Sequence, residues 1–227
     1  MREATSLLLP DGPDGEARRA ALIRDRLTLQ PPPGLAGTGL CDLKLYRAGP
    51  SSGLSKLVGS VAPYWAHPWA GGLALARYMA ERPDAVAGRH VLDLGTGGGL
   101  VAIAAALMGA ASVTGIDIDA WAISAARLNA DANGVGARFL QGDVADVALA
   151  GVDMILVGDL FYDKDLADTV SVVLASAVSR GIPVLVGDPG RKPLPRVHLL
   201  DVVEYPVADV GDPPGTASAT GRVSRWV

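Results

Sequence analysis

The run Val91-Leu92-Asp93-Leu94-Gly95-Thr96-Gly97-Gly98-Gly99 constrains this chain more than any other stretch of its 227 residues. A short apolar segment, His90–Leu94, reads as a buried strand. Glycines at 95, 97, 98 and 99 then form a turn in which the backbone can take positive φ or come close to a ligand. An Ala-rich stretch, 100–108, follows and is closed by Gly109, as a helix would be. A strand, a glycine turn and a helix start bring free N–H groups to one point, a build that receives a nucleotide-like group.

The spacing narrows the ligand. The dinucleotide fingerprint G-x-G-x-x-G needs glycine at position 100, where this chain has Leu100. What it has is G-x-G-x-G preceded by Asp93. An acid there repels a pyrophosphate and suits a ligand carrying an amine or a sulfonium, which favours S-adenosylmethionine over NAD. Gly115-Ile116-Asp117-Ile118-Asp119 ends the next strand, and Asp117 falls about 20 residues past the glycines, where a ribose-binding acid belongs. Asp119 reads as the cap of the helix after it. After the third strand, Gln141-Gly142-Asp143-Val144 offers Asp143 to an adenine amino group. After the fourth, Gly158-Asp159-Leu160-Phe161-Tyr162-Asp163 sets Asp159 at the carboxyl end of a strand, where open α/β sheets bind ligands. Asp163 reads as a helix cap.

The surrounding pattern is regular. Helices are expected at 71–80, 100–108, 121–133 and 166–179, and strands at 90–94, 111–116, 138–141, 152–157 and 182–187. Strands alternating with helices at this spacing mean βαβ units. Two further strands, 197–205 and 222–227, are joined without a helix and are therefore antiparallel neighbours. The fold class is α/β: a Rossmann-like seven-stranded sheet, mostly parallel, with an antiparallel C-terminal strand and helices on both faces. Residues 61–227 form the catalytic domain. Residues 1–60 form an extension of the same domain, too short to bury a core alone. It holds a helix from Asp14 through Leu27, ended by Pro31, Pro32 and Pro33, and a strand over 41–46 with Cys41, Leu43 and Leu45 on one side.

Composition excludes several classes. Hydrophobic residues make up 49% and charged residues 19%, a globular balance, and the net charge of −4 argues against general nucleic-acid binding. One cysteine and three histidines supply neither a disulfide nor a Cys/His metal cluster, so no metal is expected. The first ten residues lack a signal-peptide pattern, and no stretch is apolar enough to cross a membrane. A cytoplasmic monomer is expected.

Together these motifs resemble the seven-β-strand methyltransferases. Asp159-Leu160-Phe161-Tyr162 matches the Asp-x-aromatic-aromatic mark of the family 16 lysine methyltransferases. Within that family, Pro63-Tyr64-Trp65-Ala66-His67-Pro68-Trp69-Ala70-Gly71-Gly72, the stretch 158–167 and the ending Val223-Ser224-Arg225-Trp226-Val227 are similar to the methyltransferases of the electron transfer flavoprotein β subunit. The likeness runs from about Tyr46 to the C-terminus, and departs at Ala70, where those enzymes usually have proline. It implies methyl transfer from S-adenosylmethionine to a lysine ε-amine, with that β subunit as protein partner. It implies that Trp69, Gly71, Asp93, Gly95, Gly97, Gly99, Asp117, Ile118, Asp143, Val144 and Gly158 hold the cofactor. Asp159 and Tyr162 would serve the reacting atoms, and Trp65 and Phe161 the acceptor. Trp65 reads equally well as packing for the N-terminal helix, Phe161 reads also as core, and His67 is assigned no role. The competing functions are a methyltransferase for another protein, such as a ribosomal protein, or for a small molecule, and a cofactor-binding module without catalysis.

Overall fold

The computed structural model describes residues 13–49, 52–54, 63–208, 212–213 and 216–227. Helix α1 (Pro13–Arg26) and the short strands β1 (Thr28–Gln30) and β2 (Leu45–Arg47) come first. Then follow α2 (Ala70–Glu81), β3 (His90–Leu94), α3 (Leu100–Leu107), β4 (Ser112–Asp117), α4 (Ala120–Ala132) and β5 (Arg138–Gln141). The chain closes with β6 (Met154–Gly158), α5 (Lys164–Ser179), β7 (Val184–Asp188), β8 (Leu199–Val207) and β9 (Ala219–Trp226).

Seven strands form one sheet in the order β5-β4-β3-β6-β7-β9-β8. The first five are parallel, and β9 runs antiparallel to both of its neighbours. This is the expected seven-stranded, mostly parallel sheet with one reversed strand at the C-terminus. Burial on both faces explains the nearly continuous apolar strands. Val91, Met154, Leu156 and Leu185 pack with α2, α3 and α4. Leu92, Leu94, Ile155, Val157, Val184 and Val186 pack on the other face with Ala167, Val170, Val173, Leu174 and Ala177 of α5. The two-residue strand period thus divides one run of apolar residues between two cores.

Helix starts follow local chemistry. Asp119 accepts the Trp121 N–H at 2.8 Å, and Asp163 accepts from Asp165 and Leu166 at 3.0 and 3.1 Å. Each such cap stabilises its helix by about 1 kcal/mol. Ala70 takes the first helical position of α2, where a proline's missing N–H costs nothing, so either residue serves the helix start.

Two expectations for the N-terminal part are corrected. The three prolines do not end α1, which stops at Arg26. Leu27 turns into a buried cluster with Ile23, Ala122, Ala125 and Leu128, and residues 28–30 leave the helix to pair with 45–47. Pro31 instead follows that strand, where it can donate no ladder hydrogen bond. The strand expected over 41–46 is reduced to Leu45–Arg47, because 35–43 is taken up by successive turns closed by the N–H groups of Thr38, Cys41 and Leu43. Leu43 and Leu45 do face inward, whereas Cys41 is exposed. Helix α1 lies on α4, with Arg19 Nε donating to Ser124 Oγ at 3.0 Å and Arg127 pairing with Glu16 at 2.6 Å.

Candidate active site at the carboxyl ends of the strands

The strand order reverses direction at β3: β4 and β5 lie to one side, β6 and β7 to the other. Loops leaving β3 and β6 therefore diverge, and a crevice opens outside their carboxyl ends, the usual ligand position in such sheets. A cavity of about 550 Å³ fills it, a size suited to a small-molecule site. Its walls come from the turn after β3, from 117–119 after β4, 142–144 after β5, Gly158, Asp159, Leu160 and Tyr162 after β6, Arg191 after β7, and the segment 64–69.

The glycine turn is shaped by positive φ at Gly95, Gly97 and Gly99. At Gly97 an added Cβ would meet only the Trp65 Cα, at 3.8 Å, so this backbone stands open to the cavity. Two carboxylates hold the turn. Asp93 accepts from the Thr96 hydroxyl at 2.6 Å and from the Ala102 N–H at 3.1 Å, tying the strand to the first turn of α3. Asp117 accepts the Gly97 N–H at 2.8 Å and the Asp119 N–H at 2.9 Å. Burial pushes the Asp93 carboxyl up to about 7 and raises that of Asp117. Asp143 accepts from the Ala145 N–H at 2.9 Å and stands at the cavity edge beside Val144.

Asp159 is the only residue other than glycine with positive φ among the described residues, at 56°. Aspartate tolerates this conformation better than most residues, at a cost of about 1 kcal/mol. The turn is held by its N–H, which donates to the Gly187 carbonyl at 2.9 Å. One carboxylate oxygen accepts the Gly72 N–H at 2.7 Å, and the other accepts from the Arg191 guanidinium. Burial pushes this carboxyl up to about 6, against the opposing pull of Arg191. The Gly72 bond depends on close backbone packing. Gly71 lies so near Gly187 that a Cβ on it would stand 2.1 Å from the Gly187 oxygen. Two glycines in contact let the start of α2 rest directly on β7.

Aromatic rings frame the opening. Tyr64 and Tyr162, each 56% exposed, stack at 6.0 Å, and Trp69 lies 5.8 Å from Tyr64. The Trp69 Nε1–H donates to the Tyr64 carbonyl at 2.8 Å. A short 3-10 turn, Tyr64–Ala66, points Tyr64 outward and buries Trp65, which stacks on Trp121 at 6.0 Å. His67 meets the edge of Trp69, and its imidazole is held below the usual range by burial and then by Arg47.

The structure brings most of the anticipated residues to the cavity wall: Trp65, Trp69, Asp93, Gly95, Gly97, Asp117, Ile118, Asp143, Val144, Gly158, Asp159 and Tyr162. Three lie elsewhere. Phe161 is fully buried and stacks on Trp226 in the α5-side core, so it does not face an acceptor. Gly71 packs on β7, and its neighbour Gly72 lines the cavity instead. Gly99 caps α3, and a Cβ on it would stand 3.1 Å from that of Ala126. Sequence reasoning missed Tyr64, Gly72 and Arg191. Tyr64 and Gly72 sat within motifs already singled out. Arg191 follows a Pro-Gly turn at the end of a parallel strand, a signal that could have marked it. Among the described residues no group of three His, Cys, Asp or Glu is arranged to hold a metal ion, and no helix is long and apolar enough to cross a membrane.

Comparison with known proteins bears on this geometry. The family model "Ribosomal protein L11 methyltransferase (PrmA)" matches residues 77–161. The chain is 44% identical over 131 residues to the electron transfer flavoprotein beta subunit lysine methyltransferase of Rattus norvegicus, covering 57% of this chain and 51% of that one. The protein of the same name from Homo sapiens is 41% identical over 149 residues, covering 63% and 57%. The chain thus spans just over half the length of these relatives. A ribosomal protein L11 methyltransferase from Exiguobacterium sp. is 43% identical over 107 residues, covering 47% and 31%. Among solved structures, the T. thermophilus 16S rRNA N2 G1207 methyltransferase in complex with AdoMet and guanosine superposes with TM-score 0.51 at 24% identity, covering 74% of this chain and 43% of that one. The chain therefore has the Rossmann-like fold of methyltransferases, and the likeness carried by its motifs extends over more than half of its length.

Proposed function

We propose that this chain is an S-adenosylmethionine-dependent protein-lysine methyltransferase acting on the electron transfer flavoprotein β subunit. One observation carries the reading. Among the described residues, the cavity at the strand ends is lined by five aspartates (93, 117, 119, 143 and 159) against two arginines, 47 and 191, and Tyr64, Trp69 and Tyr162 stand at its opening. An anionic wall repels phosphates and suits a sulfonium, an α-amine and a lysine. The names of the relatives, which include that β subunit, support the same substrate.

The residues present fit the cofactor. The backbone at Gly97 leaves room that any side chain would fill, and the Asp117 carboxylate bridges the Gly97 and Asp119 N–H groups beside it. Gly95, Gly97, Gly98, Asp117, Asp143 and Val144 would hold the nucleoside and amino-acid parts. When bound, S-adenosylmethionine supplies an electrophilic methyl group on a positively charged sulfur.

The chain's own residues prepare the acceptor. Tyr64, Trp69 and Tyr162 frame the entrance, where cation–π contact with a lysine would contribute about 0.5–2 kcal/mol per ring. These rings also strip water from the amine, which favours its uncharged, nucleophilic form. Asp159 attracts and orients the amine. As positive charge builds on nitrogen in the transition state, this fixed carboxylate gains interaction that it lacked in the ground state. The lysine proton leaves to solvent at the exposed rim between Tyr64 and Tyr162. Tyr162 acts at that rim, while Phe161 behind it fixes the loop through the core. We read the enzyme further as a cytoplasmic monomer without a nucleic-acid partner; the net charge of −4 disfavours general nucleic-acid binding, and one cysteine fits a reducing compartment.

A second reading takes ribosomal protein L11 as substrate, favoured by the family model over 77–161. The experiment supplies labelled S-adenosylmethionine to purified protein with electron transfer flavoprotein, and separately with ribosomal proteins, and maps the product by mass spectrometry. Labelled lysine on the β subunit is the expected result. Label on L11 selects the second reading, and calorimetric cofactor binding with no label on either removes both substrates.

A further inference from the structure

Arg191 belongs to no motif, yet it contacts both Asp159 and Trp69 in the cavity wall. The turn after β7 builds its position. Asp188 Oδ1 accepts the N–H groups of Gly190 and Arg191 at 2.6 and 2.7 Å, and Gly190 takes φ 95°. The guanidinium then donates to Asp159, lies 3.6 Å from Asp188 Oδ2, and sits 5.7 Å from the centre of the Trp69 ring. The Asp159 and Asp188 side chains are 7% and 2% exposed, and that of Arg191 is 22% exposed.

Two desolvated carboxylates on adjacent strand ends cannot both ionise readily without a cation. Among the described residues Arg191 is the one cation in an ion pair with either of them. Other charged and titratable groups are near. Arg222 on β9 is opposite Asp188 in the ladder and is itself paired with Asp201 and Glu204. Asp93, Asp117, His67, Arg47, Tyr64 and Tyr162 line the same cavity as Asp159.

We propose that Arg191 is a positioning residue for Asp159: anchored on Asp188, it keeps the Asp159 carboxylate ionised and fixed in the cavity at neutral pH. The proposal rests on the lysine-methyltransferase reading for its purpose, and on the geometry alone for its physics. A protonated, freely turning Asp159 would offer the acceptor amine no anion. A bare carboxylate would hold the amine as unreactive ammonium. The Asp159–Arg191–Asp188 group carries net charge −1 with all three ionised, enough to attract a lysine, while the guanidinium shares the charge of the oxygen it contacts. Each carboxylate oxygen keeps accepting capacity beyond its present bond.

The test needs no substrate. Protein labelled with carboxyl-¹³C aspartate is titrated by NMR, and the Asp159 resonance is assigned by its loss in D159N. We expect a midpoint near 6 in the wild type. In R191Q the midpoint should rise by about one unit or more, and in R191K it should stay within about half a unit of the wild type. An unchanged midpoint in R191Q overturns the proposal. Should R191Q fail to fold, the wild type answers by itself. The Arg191 side-chain ¹⁵N resonance should show a step at the Asp159 midpoint that is lost in D159N, and a resonance without that step overturns the pairing. In methyl transfer, the fall of R191Q at pH 7 should recover as pH rises toward 9, with R191K restoring the wild-type profile. Absence of any methyl acceptor would defeat the functional reading and leave the titration standing.

Discussion

Replacing Gly71 by alanine sets two effects of opposite sign against each other. Gly71 is the second residue of α2 and has no positive φ, so alanine fits its backbone. On helix propensity alone the change should stabilise by about 0.5–1 kcal/mol. The new Cβ, however, would stand 2.1 Å from the Gly187 oxygen, 2.5 Å from its carbon and 2.7 Å from an Asp159 carboxylate oxygen, where ordinary contact begins at 3.4 Å. Relief needs a shift of more than an ångström. Strand β7 cannot give, being paired on one side with β6 and on the other with β9. Helix α2 must lift, losing contact with β7 and drawing the Gly72 N–H from Asp159. Overpacking of this kind costs about 1–3 kcal/mol, and a clash with backbone puts Gly71 at the upper end. The net loss is about 1–2.5 kcal/mol, a fall of about 2–10 °C in Tm for a chain of this size. Thermal melts by circular dichroism read it, with Gly136→Ala as control, since an added Cβ there meets nothing within 4 Å. A Tm for Gly71→Ala equal to or above the wild type would refute the close-contact argument.

Other outcomes follow from the same geometry. Asp159→Asn keeps an oxygen for the Gly72 N–H and loses the charge, so methyl transfer should fall by about 10²–10³-fold with cofactor affinity by calorimetry little changed. Tyr64→Ala and Tyr162→Ala should each raise KM for the protein substrate by about 2- to 30-fold, whereas Phe161→Ala should act mainly on stability, lowering it by about 3–5 kcal/mol in denaturant titrations. Burial raises the Asp93 carboxyl to about 7, so the folded state binds a proton that the unfolded chain releases near 4. That contribution is present below about pH 4 and is lost as pH rises to about 7. Denaturation midpoints compared at pH 5 and pH 8 should therefore show a decline with pH that is smaller in Asp93→Asn.

The sheet was legible because its strands are short apolar runs bounded by glycine and acid, and β3 and β5 form over the residues expected. The acids proposed for the cofactor were legible too, since Asp93 and Asp117 lie at the carboxyl ends of β3 and β4 and Asp143 closely follows β5. What escaped depends on relations that no local pattern encodes. Trp65 and Tyr64 are adjacent aromatics, and only the phase of a three-residue turn decides which one reaches the opening. Phe161 and Tyr162 pose the same problem after β6, where the core claims the first and leaves the second at the rim. Gly71 reads as a ligand glycine until Gly187, over a hundred residues away, is seen against it. Arg191 gains meaning only from Asp159, 32 positions earlier.

The contact between Gly71 and Gly187 also divides the stretch 63–72 into a part anchored on the sheet and a part at the rim. The stretch 63–72 supplies both an aromatic rim, at Tyr64 and Trp69, and the floor donor at Gly72. Its last residues are wedged against a strand that cannot move. Through the Gly72 N–H, the Asp159 carboxylate is therefore tied to the sheet itself and not to the exposed rings above it.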